Sequence, residues 1–172
     1  MRERARGFTL LELMTAIAVL AVLAGLGVPA FTNIVRNNQI AAESGNLVTA
    51  LTLARSEALK RGVRVSVCGA AGADACAEDA DWSDGWLVFT DDFGDIGVID
   101  DQDEVVQVWP APLSGVAVNT VDASVTFTRN ARAEFAATFN VLKDGCSGEQ
   151  QRVISVGASG RVNLTRIACP ED

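Results

Sequence analysis

A nearly unbroken apolar run from Phe8 to Phe31 carries a single carboxylate, Glu12, close to its start. At 1.5 Å rise per residue, a helix over that run is about long enough to cross a bilayer. A lone ionised carboxylate in such a helix costs on the order of 2.5 to 3.5 kcal/mol on insertion scales. Glu12 therefore needs a partner, and the sequence around it offers none. That partner is expected to come from processing or from assembly.

The residues ahead of the run suggest how. Arg2, Arg4 and Arg6 make Met1 to Gly7 a short basic leader, of the kind that stays on the cytoplasmic side while the following segment inserts. A secretory signal places its cleavage site beyond the apolar run, whereas the most signal-like junction here, Gly7-Phe8, lies in front of it. A cut at that junction leaves the apolar helix on the mature chain. The new α-amino group would sit one helical turn from Glu12, so that in a helical array the carboxylate would neutralise the amine of a neighbouring copy.

Gly7, Phe8, Thr9, Leu10, Glu12 and Pro29 together resemble the prepilin N-terminus of type IV pilins and type II secretion pseudopilins. The resemblance implies that a prepilin peptidase cuts after Gly7, that Phe8 becomes an N-methylated terminus, and that Glu12 guides docking into a filament.

Composition narrows the rest of the chain. The formal charge is -8, and removal of residues 1–7 takes away three arginines and one glutamate, leaving about -10. That balance disfavours nonspecific nucleic-acid binding. The absence of histidine excludes histidine-based triads and most zinc sites. Cys68, Cys76, Cys146 and Cys169 all lie beyond the apolar run, on the side that the leader places in an oxidising compartment, so disulfides are expected. Three connectivities are open. Proximity and the Gly/Ala/Asp-rich stretch between the first two cysteines favour Cys68-Cys76 and Cys146-Cys169, worth roughly 2.5 and 3.5 kcal/mol on the loop-entropy model. A four-cysteine metal site is the rival, and neither pair has the CxxC-type spacing it prefers.

Beyond Pro29 the helical pattern continues, because Ile40, Leu47, Leu51, Ala54 and Ala58 recur at intervals of three, four and seven while Arg36, Glu43, Arg55 and Lys60 fall elsewhere. Gly62 is the expected stop, just after the cationic Lys60-Arg61 pair. From Val63 the pattern changes to short β-branched runs, with strands expected over 63–68, 86–90, 105–109, 125–128, 134–142, 152–156 and 161–167, the last two joined by a hairpin at 157–160. The fold class is α+β: a long N-terminal helix, transmembrane in its first half, packed against an antiparallel β-sheet head. Four segments follow: leader 1–7, transmembrane and filament-core helix 8–31, amphipathic helix 32–62, and β-rich head 63–172. Trp82, Trp86 and Trp109, with Phe89, Phe93, Phe127, Phe135 and Phe139, are expected mostly in the core, Trp82 being the candidate exception.

Ala54-Arg55-Ser56-Glu57-Ala58 with Arg61-Gly62, then Val65 to Cys68, Trp82, Gly85-Trp86-Leu87-Val88-Phe89, Asp91, Phe127 to Ala133 and Ser159-Gly160-Arg161-Val162 are similar to the GspH/FimT family of minor pilins and pseudopilins. Ala131 stands where that family's turn usually has glycine. The resemblance implies a minor pilin at an inner membrane, its head periplasmic, that primes a type IV pilus and remains at the tip, with other minor and major pilins as partners. A DNA-binding pilin for natural transformation and a pseudopilin of a type II secretion system are the alternatives.

Two charged constellations remain. Asp74 to Glu104 holds twelve acidic residues and no Lys or Arg, but its spacing does not fit an EF-hand, so a solvated turn is expected rather than a calcium site. Some pilins of this type bind DNA through a glycine-arginine-x-arginine element where Gly160-Arg161-Val162-Asn163 stands here. Arg161 fits that pattern, Asn163 replaces its second arginine, and Arg152 and Arg166 fall on the same expected hairpin, so any DNA binding should be weak and salt-sensitive. No nucleophile has a base beside it in a recognisable motif, and neither a catalytic site, a cofactor nor a metal is expected.

Overall fold

The computed structural model describes residues 8–77, 79–113 and 115–170, apart from the side chains of Leu26 and Pro29. The leader 1–7, including Gly7, lies outside the described residues. The chain divides into two units, Met1–Val35 and Arg36–Asp172. A single helix, α1 (Leu10–Arg61), contributes to both.

In the first unit α1 exposes almost every large apolar side chain, from Leu10, Leu11 and Leu13 through Leu23 and Phe31 to Ile34. It is the one helix among the described residues that contains an 18-residue stretch long and apolar enough to cross a membrane. Such a surface belongs in an apolar medium or against other helices, since water would leave it unburied.

In the second unit the rest of α1 lies under the head. Ile40, Leu47, Leu51, Ala54 and Ala58, the stripe expected from the sequence, are all completely buried, together with Ala50. Each large member contributes about 1.5 to 3 kcal/mol on burial. Glu43, read from the sequence as outward-facing, is buried instead. It falls three residues after Ile40 and four before Leu47, in phase with the stripe, and its carboxylate accepts from the Leu113 N–H at 3.0 Å and from Asn46 Nδ2 at 3.1 Å. Gly62 ends the helix with φ at 72°, its N–H donating to the Ala58 carbonyl at 3.0 Å, a left-handed closure that glycine makes without a Cβ clash.

Eight strands follow among the described residues: β1 (Val65–Gly69), β2 (Trp86–Thr90), β3 (Val105–Trp109), β4 (Val116–Asn119), β5 (Ser124–Phe127), β6 (Ala137–Lys143), β7 (Gln151–Val156) and β8 (Val162–Ile167). They form two antiparallel four-stranded sheets, ordered β3-β2-β1-β5 and β4-β6-β7-β8. Seven strands were legible in the sequence and β4 was not. Its four residues alternate in burial, with only Val116 and Val118 turned inward, which is too short a pattern to stand out.

One core joins α1 to both sheets, gathering Val65, Val67, Trp86, Val88 and Phe127 from the first and Val118, Phe139, Val141, Ile154 and Val156 from the second. Trp82 is not an exposed exception: it is buried, meets Phe139 edge-on at 4.8 Å and donates its indole N–H to the Asp122 carbonyl at 3.1 Å. Phe135 and Phe93, expected in the core, are 75% and 48% exposed. For Phe135 the reason is that 133–134 first pairs with the edge of β5, through an Ala133 bridge and the Glu134 N–H, so β6 begins only at Ala137. Phe93 lies in the acidic connection between β2 and β3.

The remaining face of the first sheet is covered too. Cys68, Leu87 and Phe89 alternate away from the main core into a second cluster with Ala70, Cys76 and Ile99. β1 is therefore buried along its whole length, with apolar residues turned to both faces.

Ala131 has φ at 56°, the left-handed conformation that the family's usual glycine adopts freely. For a residue with a Cβ that region costs about 1 to 2 kcal/mol. Ala131→Gly is accordingly expected to raise the denaturant midpoint of unfolding, by an amount equivalent to about 1 kcal/mol. An unchanged or lower midpoint at equal m-value would show that no such strain is stored there.

Candidate functional site

The start of α1 is built by a local capping arrangement. Thr9 Oγ1 accepts from the Glu12 N–H at 3.2 Å while the Thr9 carbonyl accepts from Leu13 N–H at 3.1 Å, so Thr9 caps a helix whose third residue is Glu12. Thr-x-x-Glu is the sequence signal for this, and it gives the carboxylate a local reason to sit in the first turn, where the helix dipole favours a negative charge. Phe8 and Glu12 are both exposed. Among the described residues, no hydrogen bond or ion pair reaches the Glu12 carboxylate. The site therefore consists of an exposed apolar helix with one carboxylate held in its opening turn.

The head carries the two disulfides. Cys68 is joined to Cys76 with Cα atoms 5.7 Å apart, clamping the 70–76 loop over the outer face of the first sheet. Cys146 is joined to Cys169 with Cα atoms 6.0 Å apart, tying the β6–β7 loop to the segment after β8, where Cys169 N–H also donates to the Gly148 carbonyl at 2.8 Å. Among the described residues no cysteine is free and no His, Cys, Asp or Glu group has the arrangement of a metal site.

Of the three arginines expected on one hairpin, Arg152 and Arg166 stand opposite each other on β7 and β8, while Arg161 lies at the far end. Arg152 is buried, and its guanidinium donates to the carbonyls of Glu149 and Gln150 at 3.2 and 2.6 Å and to Asn37 Oδ1 at 2.7 Å. Burial pushes its pKa down, with the nearby Arg166 charge adding to the effect. Arg152 thus anchors the β6–β7 loop to α1 and is not available to phosphates. Arg161 and Arg166 are exposed, but they lie at opposite ends of β8.

The acidic segment is organised by its first carboxylate past β2. Asp91 is completely buried, and one of its oxygens accepts from Ser66 Oγ and from the Gly97 N–H at 2.9 Å, while Ser66 and Thr126 hydroxyls meet at 2.6 Å. Asp103 accepts from the N–H groups of Asp92 and Asp100, at 3.3 and 3.1 Å. These bonds fold the connection back over the sheet. The sequence pattern concealed this role, since Asp91 looks like any member of an acidic run; the only signal was its place directly after a fully apolar strand.

Comparison with known protein families matches residues 43–160 to the type II transport protein GspH and residues 2–28 to the prokaryotic N-terminal methylation motif. The chain belongs to the GspH family. The family match covers most of the head, and the methylation motif supplies the N-terminus expected of pilin-like proteins, which implies processing by a prepilin peptidase and other pilins as partners. In structure the chain is similar to the type IV minor pilin FimU of Pseudomonas aeruginosa, at 21% identity and a TM-score of 0.57, over 74% of this chain and 89% of that one. A second crystal form of the same FimU gives a TM-score of 0.54, also at 21% identity, over 73% and 91% of the two chains. A comparison with curated protein sequences returns no match. The fold is shared with that minor pilin, a long N-terminal helix with antiparallel sheets.

Asp91 makes a pH-dependent prediction. Its pKa is raised above the ordinary 3.8, chiefly by burial and in part by Asp103, against the opposing hydrogen bonds from Ser66 and Gly97 and the charge of Arg64. A carboxyl raised in the folded state contributes stability that is fully present below its unfolded pKa and is lost as pH rises through the folded value. Wild type is therefore expected to lose thermal stability relative to Asp91→Asn as pH is raised from about 4 toward neutrality. Parallel melting curves across that range test the sign, and a difference that stays flat or reverses contradicts it.

Proposed function

We propose that this GspH-family chain is a minor pilin of a type IV pilus. In this reading prepilin peptidase cuts between Gly7 and Phe8 and Phe8 becomes the methylated terminus. The apolar helix 8–31 holds the protein in the inner membrane with its head in the periplasm, and the protein then primes a filament and stays at its tip. The observation that carries the proposal is the exposed apolar start of α1 with Glu12 in its capped first turn and no partner among the described residues. A carboxylate at that depth is tolerated when assembly supplies a counter-charge, and the freed amine of Phe8 on a neighbouring subunit is the counter-charge at hand. The likeness to FimU supports the pilus setting, through the fold alone.

The family match to GspH supports the second reading, a minor pseudopilin of a type II secretion system. Deleting the gene separates the two: loss of surface pili with normal protein secretion favours the first, and the converse favours the second. DNA uptake is not adopted as the leading role, because Arg152 is withdrawn into the head.

Two measurements test the shared core of the reading. Co-expression with a prepilin peptidase should give a mature chain beginning with N-methylated Phe8 by intact mass; an unshortened chain, or equal processing of Gly7→Val, refutes it. Glu12→Ala should insert into membranes as well as wild type or better, by up to about 3 kcal/mol, yet enter filaments poorly. Wild-type levels of the variant in shed filaments would show that Glu12 has no pairing role.

A further inference from the structure

Four arginines that are scattered in the sequence are brought by the backbone to within two residues of a single contact on the head. Arg55 Nε, on α1, donates to the carbonyl of Ala131 at 3.0 Å. Gly160 approaches the same carbonyl so closely that a Cβ there would lie 2.1 Å from its oxygen and 3.1 Å from Arg55 Nε. Two turns and the helix therefore touch at one point. Arg132 follows Ala131, Arg129 precedes it by two residues, and Arg161 follows Gly160. Both turns are internally fixed, the first by Thr128 N–H to the Arg132 carbonyl at 2.8 Å and Ala131 N–H to the Thr128 carbonyl at 2.8 Å, the second by Gly160 N–H to the Gly157 carbonyl at 2.7 Å.

All four arginines are exposed. The ion pairs among the described residues are Lys60–Glu57, Arg61–Glu57 and Arg61–Glu104, and none of them neutralises this corner. Like charges held close together repel one another. In a chain of net charge -8, four exposed arginines carried by one fixed meeting of two turns and a helix are a local exception that an anionic partner would relieve.

We infer that Arg55, Arg129, Arg132 and Arg161 form one cationic docking surface, and that its partner is a carboxylate-rich loop on the head of a neighbouring subunit. The inference rests on the assembly reading for the identity of the partner. Charge placement selects a compact acidic loop over a nucleic acid. Val65, the first residue of β1, pairs with Thr90 on one side and Phe127 on the other, so the acidic connection and the 128–132 turn leave the sheet at the same end. Exposed Asp92 and Glu104 stand at that end, Glu104 paired with Arg61 at 2.7 Å. A duplex lying across the arginines would run its phosphates past these carboxylates, whereas a loop of a few carboxylates needs to reach only the arginines. Such a loop is within the repertoire of the fold, since this head itself builds one from Asp91 to Glu104. Exposed arginines offer bidentate pairing to carboxylates, which gives orientation as well as attraction.

The test uses the full-length chain in neutral detergent micelles, with fluorescent hexaglutamate, hexaglutamine and a short DNA duplex as probes for anisotropy at low and physiological salt. Hexaglutamate should bind in a salt-sensitive way, hexaglutamine should not, and the duplex should bind more weakly than hexaglutamate. Arg132→Glu combined with Arg161→Glu should weaken hexaglutamate binding about tenfold or more, while Arg166→Glu, away from the corner, should leave it unchanged. Equal melting temperatures establish that the double variant is folded. Absence of hexaglutamate binding, or equal loss on Arg166→Glu, overturns the surface. Tighter duplex binding that the double variant loses assigns the corner to nucleic acid and overturns the partner. In cells the double variant should be processed to the same mature mass as wild type yet appear in filaments at reduced level, and undiminished incorporation overturns a neighbouring subunit as partner. Wild type missing from filaments altogether means that the assembly reading has failed, and the peptide titration still judges the arginine surface.

Discussion

Burial of one face of α1 between Ile40 and Ala58 is the contact on which the head depends. The inner faces of both sheets share one core: Val65, Val67 and Val88 of the first and Phe139, Val141 and Ile154 of the second turn toward the same helix stripe. That stripe mixes Ile40, Leu47 and Leu51 with Ala50, Ala54 and Ala58, and the alanines let strands come close where larger side chains would hold them away. Loss of the helix face would expose both sheets at once. Three polar residues are buried on it: Glu43 accepts from the Leu113 N–H, Ser44 donates to the Ile40 carbonyl, and Glu57 pairs with Lys60 and Arg61, so these side chains have partners.

The outer face of the first sheet is closed by different means. There the apolar contribution is small, four buried residues with Cys76 and Ile99, and covalent and polar ties supply the rest. The Cys68–Cys76 bridge holds one loop down, and Asp91, Asp103 and the Gly97 N–H hold the other. A buried carboxylate with one oxygen unpartnered is a costly tie, and it makes this layer the part of the head that responds to pH.

The same helix that organises the head presents, in its first unit, an apolar surface with nothing to cover it. The family match and the methylation motif agree with a chain whose N-terminal part becomes stable only in a membrane or among copies of like helices. The contact of Arg55 with Ala131 and Gly160 gives the head an arginine-bearing corner that the acidic character of the chain as a whole conceals.

Sequence alone determined the features that depend on local order along the chain. The membrane-length run with Glu12, the stripe from Ile40 to Ala58, the Gly62 stop and seven of the strands all follow from periodicity and punctuation, which act over a few residues. The local cysteine pairs were favoured by proximity for the same reason. What only the tertiary structure decided were the facts that depend on segments far apart. It split the strands into two sheets, placed Trp82 inside and Phe135 outside, withdrew Arg152 from the surface and turned Asp91 from one acid among twelve into a buried tie. It also brought Arg55 against Ala131 and Gly160, the neighbours in sequence of Arg132 and Arg161. Burial and charge neighbourhood are properties of the whole packed chain, since a side chain's cost or use is set by atoms that arrive from other segments, and no window of neighbouring residues contains them.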